Sequence, residues 1–218
     1  MTVSCFLVDL DDTLYAETDY VDSGYRAIAP LIAEAAGVPV DEALMLLRYE
    51  FRKFGRTGAF DRVLKTLGAS SLPVGLLVEA YREHVPDIAF YPQAEEALAR
   101  LSSVAPVAIV TDGTPAMQRR KVAALGLDTR VDAVVYCWEC QAPKPEVGGY
   151  LQAAAALGVD PARASVVGDD PFHDMAAAHA LGVGAARVRT GRLGDLDHPM
   201  TGVTEYASFA AFADAIVR

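Results

Sequence analysis

The 218 residues are 52% hydrophobic and 22% charged, a balance that suits a globular chain of one or two domains with a sizeable core. The formal net charge is −10 with no basic cluster of nucleic-acid-binding size, which argues against a duplex partner; a polyanionic substrate would need local positive charge or a metal against this background. Three cysteines, an N-terminus without a basic leader and no apolar run of membrane-spanning length predict a cytoplasmic protein with no membrane partner, while nothing speaks to its oligomeric state.

Val3 to Val8 reads as a short buried strand running into Asp9, Asp11 and Asp12. From Asp19 to about Val85 the pattern turns helical. "YVDSGYRAIAPLIAEAAG" stops at Gly37, and "VDEALMLLRYEFRKFG" follows with Asp41 expected as N-cap and Gly55 as stop. "FDRVLKTLG" and "PVGLLVEAYREHV" complete four helical segments. Beyond Pro92 helices and strands alternate. "QAEEALARLSS" is a helix, "APVAIVTDG" a strand, "PAMQRRKVAALGL" a helix and "VDAVVYC" a strand. Then come "GGYLQAAAALG" (helix), "ASVVGDD" (strand), "FHDMAAAHALG" (helix), "GAARVR" (strand) and a terminal helix in "YASFAAFADAIVR". Such alternation predicts an α/β fold, a Rossmann-like parallel sheet core with helices on both faces and right-handed crossovers. The early helices interrupt it as an insertion. The expected division is a catalytic core of 1–15 and 91–218 and a helical domain of 16–90.

Three strands end in polar clusters: "VDLDDT" at 8–13, "VTDG" at 110–113 and "VGDD" at 167–170. Ligands of open α/β sheets bind beyond the carboxyl ends of the strands, so neighbouring strands would gather these clusters in one crevice. Any one such aspartate reads as a turn or cap residue. Three clusters together, with "APKPE" at 142–146, read as a site. Carboxylates crowded in one crevice repel, and a hard divalent cation such as Mg²⁺ would turn that repulsion into binding.

In this order the four motifs resemble those of the haloacid dehalogenase-like superfamily of phosphohydrolases: "DLDDTLY" the DxDxT motif, "VTDG" the second, Lys144 the third and "VGDDPFHD" the fourth. The resemblance implies a Mg²⁺-dependent phosphatase of small phosphorylated metabolites working through an aspartyl phosphate. Asp9 would be the nucleophile and Asp11 the general acid and base, the i, i+2 spacing setting both on one strand face. Mg²⁺ would be held by Asp9, the Asp11 backbone carbonyl and Asp169, with Asp174 orienting the site or acting through water. Thr111 would offer its hydroxyl to the phosphoryl group, Asp112 and Gly113 their N–H groups, and Lys144 its charge. Thr13 would fix the motif loop; Asp12 and Asp170 read as loop residues. Asp11 distinguishes the chain from dehalogenating relatives, which lack that second aspartate. The third motif departs mildly: Val147 stands where many relatives carry Pro, and Gly148 and Gly149 weaken a helix start.

The insertion sits where the family places an early helical cap, which favours small substrates. Arg48, Arg52, Lys53 and Arg56 read either as a solvated helix face or as a grip on the substrate, with Arg52 and Arg56 the candidate binding residues. Tyr15 lines the pocket or packs. Cys137 and Cys140 of "CWEC" lack the second ligand pair a structural zinc site needs, and His173 reads as a helix-start residue. The alternatives are a phosphomutase of the β-phosphoglucomutase type and a non-catalytic binding protein on the same fold.

Overall fold

The computed structural model describes residues 3–217. In chain order it comprises strand β1 (Cys5–Val8), helices α1 (Glu17–Ala36), α2 (Val40–Phe54), α3 (Ala59–Thr66), α4 (Val74–Glu83) and α5 (Ala94–Ser102), strand β2 (Val107–Thr111), helix α6 (Pro115–Ala124) and strand β3 (Ala133–Tyr136). Helix α7 (Gly148–Ala156), strand β4 (Ala164–Gly168), helix α8 (Ala176–Leu181), strands β5 (Gly184–Val188) and β6 (Val203–Tyr206) and helix α9 (Phe209–Ile216) follow. The chain divides into two compact units, Met1–Glu17 with Ile88–Arg218, and Thr18–Asp87. No described helix is long and apolar enough to cross a membrane.

The first unit is built on a six-stranded, all-parallel sheet of order β3-β2-β1-β4-β5-β6. The central strands β1 and β2 are buried at every position because helices cover both faces. Cys5 and Leu7 join Val110, Val166, Tyr150 and Ala153 in one buried cluster. Phe6, alternating with them, meets the Phe212 ring of α9 edge-on with centroids 5.9 Å apart. Strand order reverses at β1, which pairs with β2 on one side and β4 on the other. That reversal opens a crevice beyond the carboxyl ends of these three strands, the ends that carry the polar motifs. The ladder runs one residue past β1, where Asp9 N donates to Val167 O at 2.9 Å.

Two local features of this unit differ from the sequence expectations, and a third, the expected helix over the glycine pair, gains its reason. Strand β6, "VTEY", was not foreseen: it is a half-exposed edge strand of four residues, too short and too polar to stand out between a loop and a helix. The helix expected over "FHDMAAAHALG" begins with a π-type turn, Pro171–Met175. There the N–H groups of Asp174 and Met175 both donate to Asp170 O, at 3.0 and 3.2 Å. Helix α7 starts at the glycine pair itself, because the helix lies too close to the β3 end for side chains. A Cβ on Gly148 would sit 2.6 Å from Ala142 Cβ, and one on Gly149 2.6 Å from Cys137 Sγ.

The second unit holds α1 to α4 around a core of its own. Val21, Tyr25, Ile28, Ala29 and Ile32 form the inner stripe of α1, at the spacing of a helix buried on one face. Leu47, Val63, Leu64 and Leu77 from the other three helices complete it. Tyr81 packs its ring onto α1 at Gly24, where a Cβ would lie 2.3 Å from the ring. The N-cap of α2 is Pro39 rather than Asp41, which lies inside the first turn, where its charge favours the helix N-terminus. Gly55 ends α2 at φ 72°, a conformation glycine adopts without strain.

Candidate active site

Asp9 follows β1 directly, and its carboxylate is buried and bonded at both oxygens. Lys144 Nζ donates to Oδ1 at 2.5 Å and Thr13 Oγ1 to Oδ2 at 3.0 Å. The Thr13 bond is the expected brace on the motif loop. Lys144 Nζ also donates to Asp174 Oδ1 at 2.8 Å, an oxygen that accepts from Tyr150 OH at 2.9 Å. Asp174 reaches this point because the β4 strand ends in Gly168: a Cβ there would overlap the Asp174 carboxylate at 2.3 Å.

Carboxylate oxygens of Asp9, Asp169 and Asp174 lie within 4.8 Å of one another, all three residues buried. One ammonium faces three carboxylates, and Asp169 is left without it. Burial and then the charges of Asp9 and Asp174 push its carboxyl up to about 9. Burial also raises Asp9, to about 8, with Lys144 pulling the other way and Asp174 adding to the rise. Lys144 stays charged despite burial because Asp174 and Asp9 hold its proton. A buried set of hard oxygen donors with excess negative charge suits a divalent cation of the Mg²⁺ kind. Asp11 offers this cluster no carboxylate oxygen.

Asp11 faces a different set of partners. The strand ends at Val8, so the i, i+2 rule no longer governs the pair. Lys121 Nζ donates to Asp11 Oδ1 and Oδ2 at 2.7 and 3.0 Å, Gln118 Nε2 to Oδ2 at 2.8 Å, and Tyr15 OH to Oδ1. Burial would raise the Asp11 carboxyl, but the Lys121 charge and these bonds outweigh it and hold it below the usual range. Tyr15 is therefore both packed and bonded to the site. Gln118 and Lys121 have no counterpart among the sequence candidates. Their signal was the i, i+3 spacing on the helix that follows the second motif.

Thr111 ends β2, fully buried, and its Oγ1 accepts from Gln118 Nε2 at 2.8 Å. Asp112 turns its carboxylate to the third motif, accepting from Lys144 N at 3.0 and 3.2 Å, while its carbonyl accepts from Gln118 Nε2. Gly113 has φ 119°, a backbone shape that excludes most side chains. Asp12 is more than the loop residue expected. It adopts φ 59° and is buried, with Oδ1 accepting from Glu17 N at 2.8 Å and Oδ2 from Arg192 N at 3.0 Å. Asp170 likewise caps its turn, accepting from Phe172 N at 2.7 Å and His173 N at 3.2 Å, and holds His173 Nδ1 at 2.8 Å.

Two arginines went unmarked in the sequence. Arg187 of β5 is 1% exposed, and its Nε donates to the Asp169 carbonyl at 3.2 Å. Its other nitrogens reach Glu205, Leu193 O and Leu196 O. Arg192 lines, with Asp9, Asp11, Lys144, Asp169 and His173, a cavity of about 230 Å³ in this unit. Of the residues expected to bind substrate, Arg52 and Arg56 belong to the second unit. Arg52 donates to Arg48 O at 3.4 Å, and Arg48 is committed to Asp22 of α1 through bonds of 2.6 and 2.8 Å. Cys5, Cys137 and Cys140 are free thiols; burial, the largest influence, raises Cys137 strongly and makes it a packing residue under Gly149.

Comparison with known proteins gives the family and the fold. A family model described as haloacid dehalogenase-like hydrolase matches residues 3–182. The chain is 29% identical over 207 residues to glyceraldehyde 3-phosphate phosphatase of Methanopyrus kandleri, covering 89% of this chain and 88% of the relative. It is 32% identical over 170 residues to phosphoserine phosphatase of Thermus thermophilus, covering 77% and 66%. The fold matches the crystal structure of a HAD phosphatase from Thermococcus onnurineus at a TM-score of 0.65 and 24% identity, over 98% of this chain and 97% of that one. A sheet that reverses at β1, with four polar motifs in order at its carboxyl edge, is thus an enzyme's architecture, and the chain belongs to the haloacid dehalogenase-like hydrolase family.

Proposed function

We propose that this hydrolase is a phosphatase of a small phosphorylated metabolite, a sugar phosphate, nucleoside monophosphate or similar phosphomonoester, acting through an aspartyl phosphate on Asp9. The observation that carries the reading is Lys144 Nζ bridging Asp9 and Asp174, with Asp169 in the same buried cluster. Phosphatase names on relatives that span most of the chain support it.

Asp9, Asp169 and the Asp11 backbone carbonyl would hold Mg²⁺, with Asp174 beside them. The bound ion would supply positive charge against these carboxylates and the phosphoryl oxygens. The steps themselves belong to the chain. Thr111 offers its hydroxyl proton to a phosphoryl oxygen, which its bond from Gln118 leaves free to do, and the Asp112 and Gly113 N–H groups bind others. One Asp9 oxygen attacks phosphorus as the bond to the leaving oxygen breaks; Asp11, ionised in the free enzyme beside Lys121, takes up a proton from the incoming ester or from solvent and gives it to that oxygen. Asp11 then takes a proton from water, which cleaves the aspartyl phosphate and frees inorganic phosphate. Lys144 favours the ionised form of Asp9 against the burial that raises it, and holds the carboxylate in place. Arg192 lines the cavity, and its side chain has no ion-pair partner among the described residues, which suits a leaving group with a second anionic or polar substituent.

A panel of phosphorylated metabolites tests the reading by release of inorganic phosphate. Turnover of at least one ester, lost in Asp9→Asn, is expected; an Asp9→Asn enzyme with full activity would overturn the nucleophile.

A further inference from the structure

Gln118 and Lys121 lie one turn apart on α6, and both are buried, at 2% and 4% exposure. Burying an ammonium and a primary amide without use is costly, so their partners say what the pair is for. Lys121 Nζ contacts both oxygens of Asp11, at 2.7 and 3.0 Å. Gln118 Nε2 is 2.8 Å from Asp11 Oδ2 and 2.8 Å from Thr111 Oγ1. One nitrogen thus confines oxygens from two different strand ends to neighbouring positions. The amide orientation follows from its surroundings: Nε2 also faces the Asp112 carbonyl, which cannot donate, so an oxygen could not stand there. The two residues are placed through a helix that starts with Pro115 at its first turn, directly after the second motif.

We propose that Gln118 and Lys121 are positioning residues that hold the Asp11 carboxylate against Thr111, where it meets the leaving oxygen of the phosphate ester. The inference rests on the phosphatase reading and deepens it. A solvated surface lysine would not be expected to lose its exposure or to face two oxygens of one carboxylate. A purely structural clamp would have no reason to include Thr111.

A role in proton donation carries a signature that a structural role lacks. A poor leaving group such as an alkoxide needs the acid, whereas p-nitrophenolate departs without one. The constant kcat/KM reports the steps up to release of the leaving group, so hydrolysis of the aspartyl phosphate does not obscure it. The ratio of kcat/KM for p-nitrophenyl phosphate to that for an alkyl phosphate, measured on one preparation, also cancels the fraction of folded enzyme.

In Lys121→Met this ratio is expected to rise by about 10-fold or more, a part of the roughly 100- to 10,000-fold that general acid catalysis contributes, because Asp11 itself remains. Gln118→Leu provides an independent variant with a rise in the same direction. In Asp11→Asn the ratio rises too, and adding Lys121→Met to it changes the ratio by less than about 2-fold, because the two residues act as one unit. An unchanged ratio in both α6 variants, or a full further rise on the Asp11→Asn background, overturns the inference while leaving the phosphatase reading intact. A wild-type enzyme that hydrolyses neither ester overturns the phosphatase reading, and this inference with it.

Discussion

Lys144 places its ammonium 2.5 Å from Asp9 Oδ1, with both side chains buried. The lysine sits in the loop before α7 and the aspartate at the end of β1, and Asp112 ties them together by holding the Lys144 backbone N–H. Removing one member of such a pair leaves uncompensated buried charge. Lys144→Met is expected to lose about 3–5 kcal/mol of stability in urea melts at neutral pH without divalent metal. It also loses turnover. A melt within 0.5 kcal/mol of wild type would show that the pair is not structural.

Metal and pH are linked through Asp169. Its carboxyl is pushed up to about 9, against 3.8 for an ordinary aspartate. Between those values the folded state holds a proton that the unfolded chain releases, so stability is lost as pH rises through the window. In EDTA the Tm is therefore expected to fall between about pH 5 and pH 9. Mg²⁺ replaces the proton, and its stabilisation grows with pH over the same range. Thermal scans with and without Mg²⁺ check this, and EDTA-inactivated enzyme regains turnover on adding Mg²⁺. A Mg²⁺ shift in Tm that is flat with pH contradicts the linkage.

Arg187 acts on the same aspartate from behind. Its Nε supports the Asp169 carbonyl, and its Nη2 supports two carbonyls of the loop after β5. Arg187→Met strands these acceptors in a buried place and is expected to cost about 2–4 kcal/mol. Outer partners of metal ligands also set affinity, so the Mg²⁺ concentration for half-maximal activity should rise about 10–100-fold. Metal titration of the purified variant reads this.

Gly191 marks a second contact between distant segments. It has φ 64°, and a Cβ there would fall 2.0 Å from Asp12 Cγ. Thr190 Oγ1 on the Asp12 carbonyl and Arg192 N on its carboxylate secure the same junction. Gly191→Val is expected to destabilise by about 1–3 kcal/mol through backbone strain alone and by more through the overlap, with KM raised because Arg192 shifts. Urea melts and steady-state kinetics on the variant test both parts.

The chain's own pattern determined much of this protein. Apolar strand runs ending in Asp9, Thr111 and Asp169 set the sheet and its chemical edge, because a strand buried on both faces can place polar groups only past its end. Helical spacing in Val21, Tyr25, Ile28 and Ile32 likewise marked the second unit. Other features were decided only by tertiary structure. Strand β6 has no inner face of its own to announce it and exists because β5 offers an edge. The glycine pair opening α7 and Gly168 before Asp169 look like weak points in the sequence. In the fold they are the places where Ala142, Cys137 and Asp174 come too close for a Cβ. Gln118, Lys121, Arg187 and Asp12 carry ordinary polar side chains whose partners lie in other motifs, up to 180 residues away for Asp12 and Arg192. A carboxylate's charge can be read from one position. What holds it depends on the cations and amides that the parallel sheet brings beside it.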